Sequence, residues 1–470
     1  MKPSHIRLIA AVGLMPLLGL SVSVSVADLP GEGPRLGSER LTQEAISGNA
    51  MTLHDIRVQG RRIFSTPFNQ YDGYGDGPMD PANPTAFGGR PTLQGNGRFL
   101  RVNGLDGQTC LECHAILSNA TIPARFGVGG VGGSVTNAMF LPTIVDVSDA
   151  AGAGLASFDG RFINPPFLFG SGGIELLGKE MTADLQALKE EARSLPESVV
   201  ALTTKGVDFG VIRYVDGEFD TSGVRGIDAD LVVRPFGRKG EFPTTRSFDV
   251  DAMQFHFGMQ PVEIVGEDVD ADGDGVVNEI LAGELSALSI FNTTLERPRQ
   301  LIMRKEERQG FGVFHNIGCA ECHVPALMTR SRTLTYSFPE VPTDPQVNVF
   351  FATDLSADPT GFRRTRGGGL LVPLYADLKR HDMGPELAES FGTDLDAQFT
   401  TARLWGLADT APYMHDGRAL TIAAAILMHG GEAQQARDAF ADLDEVDQAR
   451  LLAFLRTLRT PARVGDDLDE

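Results

Sequence analysis

Beyond residue 20 the sequence has no apolar run long enough to cross a bilayer. It also lacks any extended cluster of basic residues. Lysine and arginine number 41 against 62 aspartates and glutamates, a formal charge of −21. That balance argues against nucleic acid, whose binding needs a basic face. It leaves an acidic surface able to steer a basic partner. The glycine-rich stretch Phe169-Gly-Ser-Gly-Gly173 lacks the lysine and the spacing of a phosphate-cradling loop. There is a single tryptophan, Trp405, and only four cysteines in 470 residues. Four is too few for a scaffold of this size to be built on disulfides.

What the sequence does have starts at its first residues. Lys2 and Arg7 precede an apolar stretch from Leu8 to Leu20, and Ser25-Val26-Ala27 offers small residues for cleavage. The pattern predicts a secretory signal over residues 1–27, with a periplasmic (secreted) product and no membrane span after cleavage. The remaining chain is 42% apolar over the full count, a globular composition. Its 54 glycines and 27 prolines favour long irregular loops between short helices.

All four cysteines fall in two copies of one pattern, Cys110-Leu-Glu-Cys113-His114 and Cys319-Ala-Glu-Cys322-His323. Cys-x-x-Cys-His is the attachment signature of a c-type haem. Two thiols three positions apart can each form a thioether with one haem vinyl group, and the adjacent histidine then lies under the iron as an axial ligand. A thioredoxin-like pair does not need a following histidine, twice, and a zinc site sharing the four thiolates leaves both histidines unexplained. The expectation is two covalently bound haem c groups, with His114 and His323 on the irons.

The distance between the motifs implies two haem domains. The sequence divides into an N-terminal haem domain over 28–267, an acidic linker over 268–285 and a C-terminal cytochrome c domain over 286–470. Within the first domain a helical stretch runs from Thr182, a candidate cap, to Ala192. Arg213 to Val250 reads as short strands or loops. In the linker, Asp270, Asp272 and Asp274 alternate ahead of Gly275, resembling a calcium loop whose register is incomplete. Bound calcium and a plain acidic turn both remain open. In the second domain Thr421 to Met428 and Leu443 to Leu458 read as helices, the latter capped by Asp442 with Glu445.

Outside the motifs and the signal, His54, His256, His315, His381, His415 and His429 remain as candidate sixth ligands. His429 ends a helix before two glycines and can approach a haem face. His256 lies in Met253-Gln-Phe-His256-Phe-Gly-Met259, where it either lines a pocket or packs in the core. Met259 is a second candidate ligand. No histidine lies between His114 and His256, which leaves room for an open first iron. Glu175 and Glu180, beside the glycine-rich turn, are candidate proton-transfer groups.

The segments Tyr375-Ala-Asp-Leu-Lys-Arg-His381-Asp-Met-Gly384, Trp405-Gly-Leu, Ala411-Pro-Tyr-Met-His415-Asp-Gly-Arg418 and Thr421 to Glu432 resemble the bacterial di-haem cytochrome c peroxidase superfamily, which includes the MauG-type enzymes. The likeness is nearest to the branch called di-haem oxidoreductase or thiol-oxidoreductase-like. It implies a mainly α fold: two cytochrome-c-like haem domains with long irregular loops and a few short strands, often with calcium between them. It places His429 where the peroxidases have a ligating methionine and the MauG branch a tyrosine, and it counts His415 with the haem-binding set. It aligns Glu180-Met181 with the peroxidases' catalytic glutamate, so Glu180 and His256 stand as the catalytic candidates. Two features depart from the pattern. Trp405 is not where the inter-haem tryptophan is expected, and the early distal histidine is missing. The implied activity is reduction of hydrogen peroxide (or dioxygen) at the first haem, with electrons passed by the second from a small periplasmic cytochrome or copper protein. The alternatives are MauG-like oxidation of an organic or protein substrate, and a di-haem electron carrier.

Overall fold

The computed structural model describes residues 33–48, 50–75, 93–94, 109–114, 139–146, 157–389 and 392–461. The expected signal at 1–27 lies outside them. The described chain is mainly helical, with short, mostly antiparallel strands. Ten α-helices follow in order: α1 (Gln43–Ser47), α2 (Leu53–Ser65), α3 (Ser171–Ser194), α4 (Thr245–Ala252), α5 (Val262–Val265), α6 (Ala282–Thr293), α7 (Lys305–Asn316), α8 (Ile422–Leu427), α9 (Gln434–Ala441) and α10 (Glu445–Leu455). None of the described helices is long and apolar enough to cross a membrane.

Two apolar cores organise these elements. The first surrounds α6, whose residues from Gly283 to Thr293 are all buried, as suits a helix at the centre of a packed body. Against it lies α2, started by a capping box in which Thr52 and Asp55 satisfy each other's backbone amides. Ile56, Gly60, Ile63 and Phe64 share the buried face of α2, the spacing of one helical stripe. Gly60 permits the close approach: a methyl there would collide with the Ala287 carbonyl of α6. Segments from beyond the acidic linker, including Leu334, Phe362, Leu374 and Trp405, complete this core. The second core is smaller and joins α7 to α10 through Phe314, Leu451, Phe454 and Leu455. There Gly310 lies flush on the Arg450 carbonyl.

Several local expectations change. α3 begins at Ser171 behind Gly170, which holds a left-handed φ of +81°, and runs through Thr182 unbroken. Thr182 is therefore no cap, and its hydroxyl accepts instead from the Val233 amide at 3.0 Å. The stretch 213–250 contains strands Val207–Val215 and Glu218–Asp220 at its start, but its end forms α4. α10 is capped by Asp444, which accepts from Asp447 N, rather than by Asp442. Leu458 leaves the helix to pair as a strand with Gln300. Thr421 caps α8, with its hydroxyl accepting from Ala424 N.

Gly60→Ala and Gly310→Ala test the two close contacts separately. Each should destabilise the protein by about 1–3 kcal/mol, the usual cost of overpacking, read from the urea midpoint by circular dichroism. An unchanged midpoint would show that the helices separate freely at that point.

Candidate functional site

Both cysteine motifs form a single 3₁₀ turn, Cys110–Glu112 and Cys319–Glu321. In each, the histidine amide donates back to the first cysteine's carbonyl, at 2.8 Å for His114 and 3.0 Å for His323. The turn therefore presents thiol, thiol and imidazole toward one side. Thr109 ties the first turn to α2 through a hydrogen bond to Phe64 O.

The imidazoles are oriented alike. His114 Nδ1 donates to Pro166 O at 3.1 Å, and His323 Nδ1 donates to Tyr375 O at 3.0 Å. A ring held by Nδ1–H keeps its Nε2 lone pair for a metal. In the C-terminal site His429 Nδ1 donates likewise to Ala425 O at 2.8 Å. The His323 and His429 ring centroids are 6.3 Å apart. Two imidazoles on opposite sides of one metal, with bonds of about 2.0 Å, put their centroids about 6.4 Å apart. Burial, with His429 alongside, pushes His323 down to about 4; burial also lowers His429. Both rings are thus neutral and able to ligate. This donor set fits a haem.

The N-terminal turn opens onto a cavity with about 890 Å³ of empty space, solvent at its mouth included. Cys110, Cys113 and His114 line it together with Asp249, His256 and Arg403. Its size suits a large cofactor. Arg403 donates to Pro235 O, and among the described residues no carboxylate forms a salt bridge with it. Burial pushes the guanidinium down to about 10. A cation so placed can meet a haem propionate. Asp249 sits on α4, 5% exposed. One of its oxygens accepts from Asn292 Nδ2 at 3.0 Å, and the other is buried with no hydrogen-bond partner. Burial, reinforced by Glu175, raises its pKa well above the ordinary aspartate value, which favours the protonated form. This cavity also fits a haem.

Residues 265–458 match the family described as "Di-haem oxidoreductase, putative peroxidase". Over that segment, less than half of its length, the chain is similar to the di-haem oxidoreductase family. The match includes Cys319–His323 and His429, and Cys110–His114 lies outside it. Among solved structures, a MauG-like protein associated with microbial copper homeostasis is 16% identical, covering 52% of this chain and 76% of its own, with a TM-score of 0.29. Kuenenia stuttgartiensis hydrazine synthase, pressurised with 20 bar xenon, is 17% identical, covering 54% and 78%, with a TM-score of 0.25. Scores this low do not establish a shared architecture. No curated protein matches.

In this structure the candidate residues separate. His256 lines the N-terminal cavity from a π-helical turn, Met253–Phe257, a distortion frequent at functional sites. Met259 is fully buried in the first core and does not line the cavity; Met253 does. Glu180 is also absent from the cavity wall. Its carboxylate accepts from the Arg330 and Ser331 amides and pairs with Lys205. It stitches α3 to the segment leading into strand Thr333–Ser337, which is a structural task. The cavity carboxyl is Asp249. Thr245, Asp249, Met253 and His256 follow a helical spacing, so the signal was present in the sequence but is invisible when 213–250 is read as strand and loop.

The remaining histidines have other occupations. His415 stacks on Phe399 at 4.6 Å, and its carbonyl accepts from Asn164 N. His381 is clasped by Asp377 and Glu432, each 2.8 Å from a ring nitrogen. Burial opposes its charge, but the hydrogen bond to Asp377 leads those that raise it to about 11. A protonated, doubly bonded ring is no iron ligand. Trp405 donates to Pro373 O, two residues before the carbonyl that holds His323, and its ring lies against Gly170, just after the loop that holds His114. It touches both histidine-bearing loops, a position its place in the chain does not disclose. Asp270, Asp272 and Asp274 bring carboxylate oxygens within 4.8 Å of one another, a group able to hold a cation. Beside them burial, more than their charge, pushes Glu279 up to about 9.

Glu180→Gln should cost about 3 kcal/mol by leaving Lys205 buried and unpaired. The spin state of the N-terminal haem should not change. A changed electron paramagnetic resonance signal at unaltered stability would put Glu180 back at the cavity.

Proposed function

We propose that this protein is a periplasmic di-haem c-type oxidoreductase that reduces hydrogen peroxide at its N-terminal haem. A small periplasmic cytochrome or copper protein would supply the electrons through the C-terminal haem. The observation that carries the proposal is the asymmetry of the two sites. The C-terminal histidines face each other at the separation of a ligand pair, whereas the N-terminal set opens onto a cavity walled by a buried carboxyl with one oxygen unpartnered.

Haem c supplies one-electron transfer at the first of these and oxygen–oxygen cleavage at the second. The protein's own residues do the rest. His323 and His429 hold the electron-transfer iron. Cys110 and Cys113 would attach the reactive haem through thioethers and His114 would hold its iron, with Arg403 placed for a propionate. Reduction of one peroxide to two waters takes two electrons and two protons. Asp249 can give a proton to the departing oxygen as general acid and recover it afterwards, with Asn292 fixing its carboxyl. His256 and Met253 also line the cavity, and either of them ligating the iron would make the protein a carrier. Oxidation of an organic or protein substrate uses the same cavity.

The low-temperature electron paramagnetic resonance spectrum of the oxidised protein should contain one low-spin and one high-spin haem. His429→Ala should turn the low-spin signal high-spin, by removing a strong ligand. Two low-spin haems in the parent would instead favour a carrier, or an enzyme that needs prior reduction.

We read Asp270, Asp272 and Asp274 as calcium ligands that brace the linker. Chelation should then lower the thermal midpoint, with recovery on adding calcium, because a ligand bound only to the folded state stabilises it. Identical midpoints in chelator and calcium would leave the segment an acidic turn.

A further inference from the structure

Asp249 lies at the inner end of a series of buried polar groups that peroxide reduction at the cavity does not by itself explain. On the same face of α4, Thr245 lines the cavity too. Its hydroxyl is 3.0 Å from Glu175 Oε2 and 2.9 Å from Ser289 Oγ. Glu175, 1% exposed, pairs through Oε1 with Lys179 Nζ at 2.7 Å, one turn along α3. Lys179 also donates to Thr335 O. Beyond it is a second, smaller cavity, with about 20 Å³ of room for water centres, lined by Lys179, Thr244, Ser337 and Glu340. That is space for a water molecule among polar partners. Thr244 Oγ1 donates to Glu340 Oε2 at 2.7 Å.

The charges along this line do not cancel. Three carboxyl groups, Asp249, Glu175 and Glu340, influence one another. Two cations face them. Lys179 is bonded to Glu175, and Arg246 is already paired with Glu263 and bonded to Ser286. Burial, with this deficit beside it, raises Asp249 and Glu340 above their ordinary values. Two adjoining threonines, Thr244 and Thr245, reach opposite ends of the line, so one α-helix start spans from the outer cavity to the inner one.

We propose that Glu340, Lys179, Glu175 and Thr245 form a proton route from the second cavity to Asp249. It rests on the proposed peroxide chemistry for its purpose. Each turnover consumes two protons, and the buried Asp249 must be reloaded without flooding the haem cavity. Hydroxyls and an ammonium group carry a proton stepwise by giving one up on one side and accepting one on the other. Glu340 is pushed up to about 7, chiefly by burial, with Lys179 and Arg246 opposing and Glu175 adding to the rise. It therefore carries a proton below neutral pH and loses it above, as a gate exchanging with solvent should.

The test uses the holoprotein and does not require turnover. A stopped-flow jump from mildly alkaline to mildly acidic buffer is followed in the visible band of the N-terminal haem. Protonation of Asp249 should give a spectral step that Asp249→Asn abolishes. Glu340→Gln should keep the amplitude of the step and slow it by about a hundredfold, the scale of a lost proton-transfer group. Glu340→Asp should restore most of the rate. A step in Glu340→Gln at the parent rate overturns the route, and a parent step that survives Asp249→Asn overturns its terminus. Peroxide turnover is measured on the same samples. A parent that shows the gated step but no turnover keeps the route and overturns the peroxide assignment alone.

Discussion

Two hydrogen bonds govern the arrangement of this protein, those from His114 Nδ1 to Pro166 O and from His323 Nδ1 to Tyr375 O. A histidine beside two haem-linked cysteines serves an iron only if its ring is held with Nε2 outward, and a backbone carbonyl is a firm way to hold it. Each carbonyl must therefore be fixed in its turn. Asn164, at the start of the Pro166 loop, donates its side-chain amide to Pro412 O and Met414 O, and its backbone amide to His415 O. The loop carrying the first ring is thus anchored on the C-terminal half of the chain. Trp405 completes the connection by hydrogen-bonding near Tyr375 and packing against Gly170. Orientation of either ring depends on contacts made by both halves.

The helix pair α3 and α4, laid on α6, explains why the two carboxylates singled out on α3 behave so differently. Glu175 and Glu180 lie close in sequence on one helix, yet face different surroundings. Glu175 meets Thr245, Lys179 and the interior, while Glu180 meets two backbone amides and Lys205. The two backbone amides and the Lys205 ammonium hold the Glu180 carboxylate at the contact with Arg330 and Ser331, away from the cavity. Asp249, by contrast, has one oxygen without a partner, and a buried carboxyl in that condition retains a proton because ionising it is costly.

The two Cys-x-x-Cys-His turns were legible residue by residue, because the motif is met within five consecutive positions. The helix ending near His429 was legible for the same reason, while its cap at Thr421 came from the structure. The cap of α10 was misplaced because Asp442 and Asp444 are equally good capping residues on composition, and only the path of the chain after α9 selects between them. The assignment of Glu180 failed because helical position says which turn a residue occupies and not what is packed against that turn. Asp249 was overlooked because α4 is short and polar, and much of its stabilisation comes from burial against α6.

The sequence by itself determined the two Cys-x-x-Cys-His motifs, the acidic charge balance and the helical character of several main segments. These follow from short-range covalent chemistry and from periodicities that a single segment expresses alone. Tertiary structure decided which carboxyl reaches the cavity, which histidine faces His323, why His381 is a charged clasp instead of a ligand, and where Trp405 lies between the two loops. Each of those depends on groups far apart in the chain, whose meeting is set by packing and burial and leaves no mark in the local sequence.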